Sequence, residues 1–332
     1  MRAAVIAESG AVEVTTVPDP VPGPGELVLR VSACGLCGSD LKARAAMPAG
    51  TIMGHEFGGE VVGQGPGTET WRVGMRAAVL PVASCGSCDW CQAGDVVHCA
   101  SAALMGLGGR AGGFAEFTAV PATSSFLLPS SLPAVQAALV EPYAVGLHTV
   151  DSVEIEQGDE VLVVGAGAVG LTCATWARLR GARTVTVVDP NIERRARAPE
   201  FGATDVLASA GEAAPARYDV AIECVGKPGL LNECVTAARP NGRIVVVGVC
   251  GEEDHFWSIA ALMKEVTIAF AVYYSPAEFR TVIDAFGTGA IDPAPLVGCV
   301  TELASIDEQF ERLAAGSVSG KILLDPGSVG GG

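Results

Sequence analysis

The sequence predicts an α/β chain, with a β-rich unit of short strands and a second domain on a doubly wound parallel sheet. Three observations predict it. Short β-type runs broken by Gly and Pro fill roughly the first 140 residues. From Gly158 the strands become continuously apolar and alternate with helices, the mark of parallel strands covered on both faces. A glycine-rich turn, Gly165-Ala-Gly-Ala-Val-Gly170, stands between the first of these strands and the helix that follows.

The early runs are Ala3–Ile6, Glu26–Val31, Glu60–Val62, Arg76–Val79 and Phe114–Val120, strands of a barrel-like all-β unit. The later part begins with Glu160–Val164, then a helix to about Leu179 and the strand Thr184–Val188. A helix near Glu193–Phe201, strands at Val206–Leu207 and Tyr218–Glu223, a helix near Leu230–Ala238 and the strand Arg243–Val247 continue the alternation. A helix over Pro276–Phe286 leads to further β-like segments and Lys321–Leu324, and the terminal GSVGGG is expected to fray.

Composition limits what the chain can do. Its 332 residues allow two domains, and 49 % apolar residues suffice for substantial cores. A net charge of −16 argues against nucleic acid or an anionic membrane as partner. The uncharged stretch Val161–Ala177 is broken by glycines and short for a membrane span. The opening MRAAVIAESG has no basic region followed by an apolar run, so a cytoplasmic protein is expected. In a reducing compartment its eleven cysteines read as metal ligands or free thiols rather than disulfides.

In the glycine turn, Gly165 permits the tight bend, Gly167 lets backbone amides approach a pyrophosphate, and Gly170 lets helix and strand pack closely. Ala168 and Val169 open the helix, whose free N–H groups face the phosphates. Asp189 ends the next strand, where a carboxylate accepts the ribose hydroxyls and repels a 2′-phosphate. An ordinary Asp-Pro-Asn turn is the plain alternative. Arg194 and Arg195 are near enough to accommodate a 2′-phosphate, but NAD is the cofactor expected.

Two constellations suit metal. Cys85, Cys88, Cys91 and Cys99 form a C-x2-C-x2-C-x7-C run, which closes a tetrahedral site and reads as structural zinc. A ferredoxin run would continue with three residues and Cys-Pro, which this one does not. His98, beside the fourth cysteine, reads as a loop residue. The second set is Cys37 in CGLCGSD, His55-Glu56 in MGHEFGG, and Glu141 in VEPYAVGLH. Sulfur, nitrogen and oxygen together suit a zinc that keeps a position open, although each residue alone also reads as an ordinary core or helix-start group.

These motifs, with GGFAEFTAVPA and the closing SPAEF…SGKILLDP, resemble the zinc-dependent medium-chain dehydrogenase/reductase family, on the side of the polyol (sorbitol-type) and threonine dehydrogenases. The resemblance implies a GroES-like catalytic domain from residues 1–143 and 286–332, with a zinc lobe at about 84–100, and a Rossmann NAD-binding domain at 144–285. It implies two Zn2+ per chain: a structural one, and a catalytic one on Cys37, His55, Glu56 and, directly or through water, Glu141. Cys34 matches no ligand position. Ser39 matches the hydroxyl that takes the substrate proton, Asp40 a residue orienting the site, and Val247-Gly248 the backbone near the nicotinamide. The metal acts as Lewis acid on a small-molecule alcohol, and the hydride goes to NAD.

The chain departs from the family at Lys42, where many relatives complete the proton relay with histidine, at the short loop between Asp40 and Gly54, and at Met75. The implied reaction interconverts a secondary alcohol (polyol, amino alcohol or sugar-like) and its ketone, in a homotetramer or homodimer. The alternatives are a zinc-free quinone or enoyl reductase of the same superfamily and a non-catalytic NAD-binding protein.

Overall fold

The computed structural model describes residues 1–328, so all but the first two residues of the GSVGGG tail lie outside it. In chain order the strands are β1 (Arg2–Ile6), β2 (Val12–Thr16), β3 (Glu26–Leu36), β4 (Glu56–Gln64), β5 (Arg76–Val79), β6 (Val82–Ala83), β7 (Ala103–Leu104), β8 (Phe117–Pro121) and β9 (Ser125–Leu127). They continue as β10 (Glu160–Val164), β11 (Thr184–Val188), β12 (Asp205–Leu207), β13 (Tyr218–Glu223), β14 (Ala238–Val246), β15 (Thr267–Phe270), β16 (Val297–Glu302) and β17 (Lys321–Asp325). The helices are α1 (Gly38–Ala43), α2 (Asp89–Gln92), α3 (Val140–Asp151), α4 (Ala168–Leu179), α5 (Ile192–Arg197), α6 (Leu230–Ala237), α7 (Ser258–Lys264), α8 (Pro276–Gly287) and α9 (Ile306–Ala314).

Two compact units form, one from Met1–Glu141 and the segment from Ser275 onward, the other from Pro142–Tyr274. In the first, a sheet runs β16-β17-β3-β4-β5-β9, with β8 also paired to β3. β17 lies antiparallel to β3, setting Leu323 against Gly35, while Gly35 faces Glu56 of β4 on the other side. β3 therefore continues past the expected Val31 to Leu36, because Ala33–Gly35 pair with β4 and Cys34–Leu36 with β17. Leu27, Leu29, Val31, Phe57 and Phe114 fill the core, with the Phe114 ring edge-on to Phe310 at 6.3 Å. Each such side chain contributes about 1.5–3 kcal/mol when fully buried.

The second unit holds a wholly parallel sheet in the order β12-β11-β10-β13-β14-β15. The strand order reverses between β10 and β13, which makes the carboxyl ends of these strands the place for a ligand. Val161–Val163 are fully buried, as an apolar strand covered on both faces requires. β15 and α7 were not foreseen, since TIAF is too short a run to stand out.

The domain boundaries differ from expectation. The first falls inside α3, after Glu141 rather than after residue 143. The second falls before Ser275 rather than at 285/286, so α8 belongs with the first unit. Packing explains it: the Phe279 ring lies 5.0 Å from Phe126, and the Arg280 guanidinium lies over the same ring at 5.1 Å.

Candidate active site

β3 delivers Cys37 to the start of α1, where the Cys37 N–H donates to Asp40 Oδ2 at 2.9 Å. Asp40 is fully buried, and its other oxygen lies 3.0 Å from His55 Nδ1. That fixes the ring. With Nδ1 turned to the carboxylate, Nε2 is the nitrogen left to face the cluster, and it lies 3.3 Å from Ser39 Oγ. Burial disfavours charge on His55, but Asp40, by charge and hydrogen bond, and then Cys37 outweigh it and hold the imidazole well above the usual histidine range.

Glu56 opens β4 next to His55. Ligand atoms of Cys37, His55 and Glu56 lie within 4.8 Å of one another. Glu56 Oε1 accepts from Lys321 Nζ at 2.6 Å, whereas Oε2 is buried with no hydrogen-bond partner. A Cβ on Gly35 would come within 2.0 Å of that oxygen, so glycine there leaves room for the carboxylate. A thiolate, an imidazole and a carboxylate oxygen lacking a partner suit zinc with a position left open.

Lys321 is the residue that sequence reasoning missed. Its signal was a cation opening an otherwise apolar strand, KILLD, and it is only 4 % exposed. Burial alone would lower its affinity for a proton. Glu56, then Cys37 and Glu141, outweigh that and hold the ammonium well above the usual lysine range. Glu141 is thus buried close to Lys321, but it stands outside the cluster of three. Cys34 is fully buried, its thiol pushed well up by burial and then by Asp40 and Glu56. Lys42 lies exposed in the last turn of α1, two residues past buried Asp40 and hence on a different side of the helix.

The sulfurs of Cys85, Cys88, Cys91 and Cys99 also lie within 4.8 Å of one another. Backbone N–H groups of Cys88, Cys85 and Ser101 point at the sulfurs of Cys85, Cys99 and Cys99 at 3.4, 3.5 and 3.4 Å. Ser87, through its backbone and its hydroxyl, lowers the Cys85 thiol to about 6, favouring the thiolate that a metal needs. His98 stands apart, with Nδ1 2.8 Å from Asp95.

In the second unit, Gly165 takes φ +108° between β10 and α4, a conformation open to glycine. A Cβ on Gly170 would lie 1.8 Å from the Gly165 carbonyl oxygen, which enforces the third glycine. Gly167 caps α4 and has open space around it, with Ala168 and Val169 the first helical residues. Asp189 is buried, and its two oxygens accept the N–H groups of Ala166 and Asn191, each at 2.9 Å. That link between acid and turn was not foreseen. Arg195 binds the carbonyls of Asp189 and Pro190, while Arg194 lies on α5.

Val247 and Gly248 donate their N–H groups to the Glu223 carbonyl at 2.9 and 3.0 Å. With Glu223, Gly226, Phe256 and Ala271 they line a cavity of about 410 Å³ at the strand ends, the position that parallel sheets of this order offer to a ligand.

Comparison with known proteins bears on both units. Residues 23–130 match the alcohol dehydrogenase GroES-like domain, and residues 168–288 the zinc-binding dehydrogenase domain. The chain is 30 % identical to (R,R)-butanediol dehydrogenase of Bacillus subtilis, over 98 % of this chain and 100 % of that one. Galactitol-1-phosphate dehydrogenase of Escherichia coli superposes with a TM-score of 0.90 at 28 % identity, covering 98 % of this chain and 100 % of that one. An alcohol dehydrogenase of Escherichia coli solved with NADH superposes at 0.88 and 29 % identity, over 98 % of this chain and 99 % of that one.

Proposed function

The chain belongs to the zinc-dependent medium-chain dehydrogenase/reductase family of alcohol dehydrogenases, and on that premise we propose that it oxidises a secondary alcohol (polyol, amino alcohol or sugar-like) with NAD. Its matched families are alcohol and zinc-binding dehydrogenases, and solved relatives carry NADH or NADP; the preference for NAD and the secondary alcohol are our reading. One observation carries the site: Cys37, His55 and Glu56 converge within 4.8 Å while Asp40 fixes the imidazole from behind.

When bound, zinc supplies a Lewis acid that eases loss of the substrate hydroxyl proton, and NAD takes up the hydride. Cys37, His55 and Glu56 would hold the metal, with Glu141 as a further, more distant ligand. Ser39, whose hydroxyl both accepts and donates, takes the substrate proton and passes it on. Asp40 keeps His55 in the tautomer that presents Nε2. The four cysteines hold a second, structural zinc. The Gly165–Gly170 turn and Asp189 hold the cofactor, with Val247-Gly248 on the nicotinamide side. With both ligand clusters formed, the zinc-free alternative is not favoured.

Two coarser features extend the reading. Among the described residues no helix is long and apolar enough to cross a membrane. None of the eleven cysteines is paired in a disulfide, and a reducing, cytoplasmic setting is our reading. The terminal strand β15 and its surroundings expose Phe270, Val272, Leu262, Met263 and Trp257, which supports a homo-oligomer, dimer or tetramer.

NADH formation against a panel of secondary alcohols tests the activity. Turnover with at least one member, abolished by Cys37→Ser but retained by Cys34→Ser, is expected, with two zinc ions per chain by elemental analysis. A chain holding both ions and NAD yet turning over no alcohol would overturn the proposal in favour of a binding protein.

A further inference from the structure

Glu56 and Lys321 are separated by 265 positions in the chain and by one strand in the sheet. β4 and β17 flank β3, and the Glu56 carboxylate lies over Gly35, the β3 residue whose missing side chain leaves room for it. From there Oε1 meets the Lys321 ammonium at 2.6 Å, with the two side chains 1 % and 4 % exposed. Oε2 is left buried with no hydrogen-bond partner, and a carboxylate oxygen of Glu56 lies within 4.8 Å of the ligand atoms of Cys37 and His55. Removing one partner of an ion pair this buried strands the other charge out of water.

We propose that Lys321 is the positioning residue for Glu56. By occupying Oε1 it leaves Oε2 as the one carboxylate oxygen offered to the metal, and its charge keeps Glu56 in place when the metal is absent. The inference rests on the reading that Cys37, His55 and Glu56 form the metal site. Asp40 does for the imidazole what Lys321 does for the carboxylate, so two of the three ligands are each held by a buried partner of opposite polarity. The four-cysteine cluster is held differently, by backbone N–H groups and the Ser87 hydroxyl.

The test compares the zinc-loaded wild-type protein with Lys321→Met and Lys321→Arg. Zinc per chain, the rate of zinc release to excess chelator, and the visible spectrum after cobalt replacement are measured, with the four-cysteine ion as internal control. In Lys321→Met one ion should leave roughly tenfold to a hundredfold faster, the scale typical when a partner behind a metal ligand is lost. The cobalt bands should shift, and Lys321→Arg should return both readouts toward wild type. On a Glu56→Gln background Lys321→Met should add nothing.

Release and spectrum unmoved in Lys321→Met, or an equal effect without Glu56, would overturn the inference. If Lys321→Met fails to keep its four-cysteine zinc, Lys321→Gln is judged by the same criteria. A wild-type chain holding a single zinc overturns the site assignment itself. Two ions and an indifferent Lys321→Met overturn this inference alone.

Discussion

Ser39 has one carbon between backbone and hydroxyl, and α1 sets that hydroxyl 3.3 Å from His55 Nε2. It is half-buried, so it reaches both the cluster and water. Ser39→Ala should lower kcat by about a hundredfold or more, the usual worth of a positioned proton-transfer group, and leave zinc content unchanged. Steady-state kinetics beside elemental analysis checks this, and an unaltered kcat removes Ser39 from the proton path. The cysteines show how environment separates identical residues. Cys34 and Cys37 stand three positions apart in one motif, yet Cys34 points into the core beside Gly54 and Gly113 and only Cys37 joins the cluster.

At the scale of elements, the ends of parallel strands are tied by charged groups as well as by ladder hydrogen bonds. Asp219, near the start of β13, accepts the Glu160 N–H of β10 at 2.8 Å and pairs with Arg239 of β14. Burial disfavours its charge, but the Glu160 N–H and then Arg239 prevail and hold the carboxyl below the usual range. A lowered native pKa means that the unfolded chain binds more protons in acid. The stabilisation is therefore complete above the ordinary aspartate value of about 4 and fades as pH falls through the native one. Asp219→Asn should cost about 1–2 kcal/mol near neutral pH, the scale of a hydrogen bond to a charged group, and the gap should close below about pH 4. Thermal melts across pH measure it, and a gap that persists in strong acid would show that Asp219 acts through something other than its charge.

Taken whole, the molecule carries a charge of −16, which keeps copies apart everywhere except where apolar surface is uncharged and exposed. The edge strand β15, ending in Phe270 at 75 % exposure, is such a place, and edge strands left bare invite pairing. Phe270→Asp should lower the mass seen by light scattering without loss of zinc. A wild-type chain that is already monomeric in dilute solution would rule out the oligomer.

Much of this protein was legible before any coordinates. The glycine turn, the four-cysteine run and the acid ending β11 are short-range patterns, whose geometry follows from backbone rules within a few residues of each motif. Periodicity placed β10, β11 and β13 to the residue, because strands buried on both faces must be continuously apolar. The β-rich unit was harder: β3 looked finished at Val31, since Ala-Cys-Gly gives no strand signal until its partners are known. What the sequence determined by itself was the family, the glycine turn and the candidate metal-ligand motifs, all written in local spacing. Only the tertiary structure decided that α8 belongs with the chain ends, that Glu141 stands apart from the cluster of Cys37, His55 and Glu56, and that Lys321 meets Glu56. Contacts between residues hundreds of positions apart depend on strand order and register, which no local stretch of chain encodes.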